Sequence, residues 1–320
     1  MERNNKYRRP GRRRQRSIHL FGYRLVMRRF VPFTALLVVF AISAGMLIDY
    51  AAHSVRRKKS NAQLSAQYEQ VFVGDTEVSA APAAAEPTPS PASARASAEP
   101  VSTLAPFYHD FSGAIPERAK ELYRQNNDLV GWLYIKGVVS LPVVQRDNSF
   151  YLNHDFEGKK SDGGALFLDQ YHPMSPQTQH LLIHGHNMHD SSMFGIVSSY
   201  NKLFMVQKNG FARFSTLYAQ EDYVICAVLM ISPDMGSRTY FNYVDTPNFD
   251  SEADFIDFAK ELKERSIFDI PVDMQPSDGL LSLATCSGDD RLLVVFRRIR
   301  EGEKKDALQQ LLSQAAKKPY

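Results

Sequence analysis

Leu280 to Arg298 reads LLSLATCSGDDRLLVVFRR. Leu280–Thr285 and Leu292–Phe296 are apolar runs of strand length, and Ser287-Gly288-Asp289-Asp290 between them is turn chemistry, so the stretch predicts a β-hairpin with a four-residue loop. Residues flanking such a loop stand opposite each other with side chains on one face. Here they are Cys286 and Arg291. A guanidinium beside a thiol favours the thiolate and offers fixed donors to an oxyanion. The competing reading is a cysteine serving as a small core hydrophobe and an arginine bound to water or to Asp289 and Asp290. The catalytic reading needs a histidine from elsewhere.

Working outward, the chain shows further short strands separated by turn signals. Val130–Ile135 and Leu141–Gln145 flank Lys136-Gly137, Ala165–Leu168 follows Gly163-Gly164, and Leu181–His184 runs into a polar segment. Tyr223–Ile231 is a continuous apolar strand, and Tyr151–Gly158 reads as a loop. Two helices are expected. Pro116–Asn126 has Ala119, Leu122 and Tyr123 at helical spacing, and Ser251–Arg265 puts Phe255, Phe258, Ala259 and Leu262 on one face. Its acidic first turn and basic last turn suit the helix dipole. Many short strands with few helices favour a mainly β protein built as a closed barrel over a parallel α/β sheet. Regular structure is expected to end near Glu301.

The net charge of +3 hides a division. Residues 1–59 carry fifteen Lys/Arg and two Asp/Glu, a net +13, and the remainder a net −10. Val31–Ile48 is eighteen residues without a charge, long enough to span a bilayer. Eleven Lys/Arg precede it and only Arg56, Arg57, Lys58 and Lys59 follow closely, so the positive-inside rule puts the N-terminus in the cytoplasm. The expected organisation is a basic cytoplasmic tail without structure (1–29), a membrane signal anchor (30–50), an extracellular Ala/Pro/Ser-rich linker (51–105) and one domain (106–320). The tail suits anionic lipid headgroups, and no nucleic-acid partner is expected. Ala80–Pro100 is nearly all Ala, Pro, Ser, Glu and Thr, a composition that cannot bury a core. Of two cysteines, Cys226 lies inside the apolar strand 223–230 as core filler; an exported chain can oxidise both, and their pairing stays open.

Three histidines crowd into His184-Gly-His-Asn-Met-His189. The spacing resembles the H-x-H-x-D-H run of metallo-β-lactamase-like hydrolases, with Met188 in place of its aspartate; a metal-dependent hydrolase using His184, His186 and His189 is one alternative. A non-catalytic surface scaffold is another. In the cysteine reading, a histidine just past a strand end faces Cys286 if the two strands are neighbours.

The residues then carry a more specific resemblance. Ile183–Gly195 resembles the catalytic-histidine segment of class B sortases, Ser282-Leu-Ala-Thr-Cys286 their T-L-x-T-C motif, and Arg291-Leu-Leu-Val-Val their arginine-led last strand. Gly131–Ile135, Leu141–Gln145, Tyr151–Phe156 and Asp162–Asp169 agree with it. The resemblance implies a sortase-type closed β-barrel with an N-terminal helix and an additional helix before the last two strands, preceded by a single transmembrane helix. It implies Cys286 as nucleophile, His186 as general acid/base, Arg291 as the transition-state arginine, and Thr285, Asn187 and Ser287 as substrate contacts. No metal or organic cofactor is implied. The expected partners are N-P-x-T-type C-terminal sorting signals of exported proteins and a cell-wall amine, with the enzyme held at the cell membrane through residues 30–50 and its catalytic domain outside. Two departures stand out: His184 where tyrosine is frequent, and a short Cys286–Arg291 loop.

Overall fold

The computed structural model describes residues 17–20, 23–68, 117–174 and 178–318. The chain divides into two compact units, Met1–Arg56 and Arg57–Tyr320. In the first, β1 (Ser17–Leu20) and β2 (Tyr23–Val26) form a two-stranded hairpin in a stretch expected to lack structure. Helix α1 follows and runs from Met27 to Tyr68. Pro32–Gln67 within it is long and apolar enough to cross a membrane. The helix continues through residues assigned to the linker because 51–68 contains neither Gly nor Pro and is rich in Ala, Lys, Arg and Gln. The rest of the expected linker and the domain start, 69–116, lie outside the described residues.

The second unit is organised by an eight-stranded closed barrel. Its strands are β3 (Leu129–Ile135), β4 (Val139–Val144), β5 (Leu166–Leu168), β6 (His180–His184), β7 (Phe211–Thr216), β8 (Gln220–Ile231), β10 (Leu280–Ser287) and β11 (Asp290–Arg298). Around the barrel they run β10-β11-β8-β7-β3-β4-β5-β6, and β6 closes onto β10. Closure leaves no exposed edge. Most neighbours are antiparallel; β4 with β5 and β6 with β10 are parallel. The main core includes Leu133, Leu182, Phe214, Val228, Leu283 and Val294, each fully buried. Helix α2 (Glu117–Gln125) contributes Ala119 and Leu122 to a second cluster with Trp132, Tyr151 and Phe167.

Helix α4 (Glu252–Arg265) is capped by Ser251, whose hydroxyl accepts from the Asp254 amide at 3.2 Å. It buries the four apolar residues its periodicity marks. Burying a Phe or Leu side chain stabilises by about 1.5–3 kcal/mol. At its last turn, Lys263 Nζ donates to the carbonyls of Cys226, Ile270 and Val272 at 3.0, 2.6 and 2.6 Å, tying the helix to β8 and the segment ahead of β10. Past Glu301 the structure continues. Helix α5 (Lys305–Ser313) buries Leu308 and Leu312, and Ala316–Lys317 (β12) pairs with Phe268–Asp269 (β9). Helix α3 (Leu203–Lys208) buries Met205 and Val206.

The β10–β11 hairpin differs in one respect from its expected form. The ladder extends through Cys286↔Arg291 to Ser287↔Asp290, so the turn is the two residues Gly288-Asp289 and not a four-residue loop. Gly288 supplies the positive φ (66°) that such a tight turn requires. Pairing of Cys286 with Arg291 is unaffected, since trimming one residue from each side of the loop preserves the register.

Candidate active site

The parallel pairing of β6 with β10 brings the histidine run to the cysteine. Ala284 is the partner of His184, and the Gly185 amide donates to the Ala284 carbonyl at 3.3 Å. Both strands point the same way, so His186 and Cys286 each lie two residues beyond that pair, at one end of the barrel. Gly185 is required here by space: a Cβ would lie 2.6 Å from both Leu166 Cδ2 and Phe194 Cδ2.

Three further contacts fix the arrangement. Arg291 Nη1 donates to Cys286 Sγ at 3.2 Å. Asn187 Nδ2 donates to the Cys286 carbonyl at 2.9 Å, joining the histidine loop to the cysteine backbone. His186 Nε2 lies 2.7 Å from the Leu152 carbonyl. A carbonyl only accepts, so Nε2 carries the hydrogen and Nδ1 is the nitrogen left to exchange a proton. Cys286 is partly exposed, and Cys226 is buried; both are free thiols, which closes the question of their pairing. Burial first of all pushes the Cys226 thiol up to about 12, so it remains protonated.

The other expected site residues take different places. Thr285 is only 2% exposed, and its hydroxyl donates to the Gly185 carbonyl at 2.8 Å, bracing β10 against the start of the histidine loop. Ser287 ends β10 opposite Asp290. The three histidines do not converge. His184 Nε2 contacts buried Asp169 Oδ2 at 2.8 Å, and His186 turns to Leu152. Among the described residues no group of three or more His, Cys, Asp or Glu side chains is placed to hold a metal.

No protein-family model matches the chain. Sortase B of Listeria monocytogenes is 31% identical over 178 residues, 55% of this chain and 69% of that protein. Sortase B of Staphylococcus aureus is 27% identical over 188 residues, 57% of this chain and 74% of that protein. A crystal structure of sortase B complexed with triglycine superposes with a TM-score of 0.52 at 25% identity, covering 58% of this chain and 86% of that one.

The chain belongs to the sortase B family. It is accordingly a cysteine transpeptidase, and its closed barrel is the sortase B fold. Around this candidate site lie three residues that the sequence does not single out. Leu152 contributes only a main-chain oxygen, which no side-chain pattern can reveal. Asp169 holds His184, accepts from Asn148 Nδ2 at 2.9 Å and takes the Tyr171 amide. Burial alone would raise its carboxyl, but these bonds and the His184 charge hold it below the usual carboxylate range. Tyr243, from the connection between β8 and α4, stands within electrostatic reach of Arg291, Asp169 and Cys286. Burial, more than any charge, raises its phenol. The connection has neither helical nor strand periodicity, so nothing in it singles out Tyr243.

Proposed function

We propose that this sortase is a membrane-anchored transpeptidase that cleaves an N-P-x-T-type sorting signal and joins the released protein to a cell-wall amine. Cys286 is the nucleophile, His186 the general acid/base and Arg291 the oxyanion-stabilising donor. The observation that carries the reading is the meeting of Cys286, Arg291 and the His186 loop at one barrel end, with Arg291 Nη1 3.2 Å from the sulfur.

In the first half-reaction the Cys286 thiol gives its proton to His186 Nδ1 and the sulfur adds to the threonine carbonyl carbon. The carbonyl π electrons move onto oxygen, and the guanidinium of Arg291 stabilises the resulting oxyanion by donating hydrogen bonds to it. Collapse breaks the C–N bond to the following residue, and the proton on His186 Nδ1 passes to the departing amine. A thioester on Cys286 remains. In the second half-reaction an incoming amine gives its proton to Nδ1, attacks the thioester and leaves Cys286 as thiolate. The Nε2–Leu152 contact keeps the same ring nitrogen available in both directions. The triglycine complex of a sortase B relative supports an amine-bearing acceptor.

The test is mass spectrometry of the full-length protein in detergent after incubation with a panel of N-P-x-T-x peptides. The expected product is an acyl adduct on Cys286, discharged by triglycine. Absence of any adduct across the panel would overturn the assigned signal.

A further inference from the structure

We infer that Arg57, on helix α1 and outside the barrel, is a positioning residue for the catalytic-histidine loop; the inference rests on the function proposed above. Arg57 Nη2 donates to Asp190 Oδ2 at 2.7 Å, and Nε donates to Ser192 Oγ at 2.9 Å. The two charged side chains are nearly enclosed, at 8% and 7% exposure. The arginine stem lies across Gly163, where an added Cβ would sit 2.6 Å from Arg57 Cδ.

Arg57 is not an isolated contact. Asn61 Nδ2 reaches Met193 sulfur at 3.8 Å, Leu64 is buried beside Leu122 and Trp132, and Ser65 Oγ donates to the Ser140 carbonyl at 2.7 Å. Positions 57, 61, 64 and 65 share one helical face, so α1 presents a continuous seam to this part of the unit.

The loop needs holding. Asp190 and Ser192 lie four and six residues after His186, in a segment folded back on itself: Asn187 bridges Met193, and the Phe194 amide donates to the His186 carbonyl at 3.0 Å. Ser191 and Met193 have φ of 66° and 51°, left-handed values that non-glycine residues adopt only when their surroundings enforce them. Asp190 secures the turn by accepting from the Ser192 amide (3.0 Å) and hydroxyl (2.5 Å), and Arg57 ties both residues to the helix. Removing Arg57 leaves an enclosed carboxylate without that cation, which favours rearrangement of the loop toward water. His186 then loses its fixed position relative to Cys286, and small misplacements of a reacting group cost rate steeply. A chain begun at residue 106 lacks this contact altogether.

The test uses the full-length chain in detergent, comparing wild type, Arg57→Ala and Arg57→Lys. In Arg57→Ala the kcat for peptide cleavage should fall roughly ten- to a hundredfold, with KM within about twofold and a cooperative thermal melt retained. Lysine should recover part of the loss, since it keeps the charge but not the fork. Hydrogen exchange supplies a readout independent of substrate: amides of residues 187–194 should exchange about tenfold faster in Arg57→Ala, with the barrel strands unchanged. Wild-type kcat in Arg57→Ala, or a loss that only matches the unfolded fraction, would overturn the inference. If the wild type cleaves no peptide, the proposed signal fails, and unchanged loop exchange then overturns the Arg57 role separately.

Discussion

Arg291 Nη1 stands 3.2 Å from Cys286 Sγ, and in the proposed mechanism the oxyanion formed when that sulfur attacks a carbonyl is stabilised by the same guanidinium. Its stabilisation grows as negative charge develops, so its loss belongs in kcat more than in KM. Arg291→Ala should lower kcat by about a hundred- to a thousandfold with the domain folded, and lysine should restore only part. If the arginine instead only steadies the turn beside Asp289 and Asp290, steady-state kinetics will show near-normal kcat with a lowered melting temperature. The histidines separate in the same assay. His186→Ala should abolish cleavage, whereas His184→Ala and His189→Ala should keep a substantial part, because His184 is engaged with Asp169. Equal losses at all three positions would contradict the assignment. The facing of Cys286 and Arg291 was legible in the sequence, since the apolar runs on both sides of one local turn centre the hairpin between them. The Leu152 carbonyl was not: a main-chain atom has no signature, and only the fold brings it to His186.

Among elements, β6 is joined to its surroundings through His180. The imidazole is wholly buried; Nδ1 donates to the Thr246 carbonyl at 3.0 Å, and Nε2 meets Ser282 Oγ at 2.8 Å. One ring thereby links β6 to β10 and to the connection ahead of α4. Burial, with the neighbouring His172 charge acting in the same direction and Asp169 and the Thr246 bond opposing, lowers its pKa from 6.5 to about 3. Between those values the unfolded chain binds a proton that the folded chain refuses, so stability falls as pH drops below about 6.5. One such proton is worth at most about 1.4 kcal/mol per pH unit. Denaturant unfolding at pH 7, 6 and 5 should show this decline in the wild type and a flatter profile in His180→Gln; parallel profiles would sink the idea. The pH 5 limit keeps the lowered carboxylates of Asp169, Asp222, Asp273 and Glu303 ionised. Strands such as β8 and helix α4 were readable because apolar run, cap and periodicity agree in them. Strand β7 was not, because its buried Ser215 and Thr216 break the apolar signal, and α5 offers only Leu308 and Leu312 as its buried stripe.

For the whole molecule, the two charge domains of the sequence bear on where the chain works. The apolar run Val31–Ile48 was plain from composition, and helix α1 contains it; the continuation of that helix to Tyr68 was obscured by charged residues that resemble the start of a linker. Helical propensity without Gly or Pro outweighs charge there. Topology follows from the flanks. Under the proposed function, the eleven Lys/Arg ahead of the run against the short Arg56–Lys59 cluster behind it predict, by the positive-inside rule, a cytoplasmic N-terminus and an external barrel. Protease added to intact protoplasts should therefore digest the barrel or remove it from the membrane. An epitope fused ahead of Met1 should survive until the membrane is permeabilised. A cleaved signal sequence would instead yield a mature chain lacking the epitope and recovered from the medium, and full protection of the barrel in intact protoplasts would reverse the orientation.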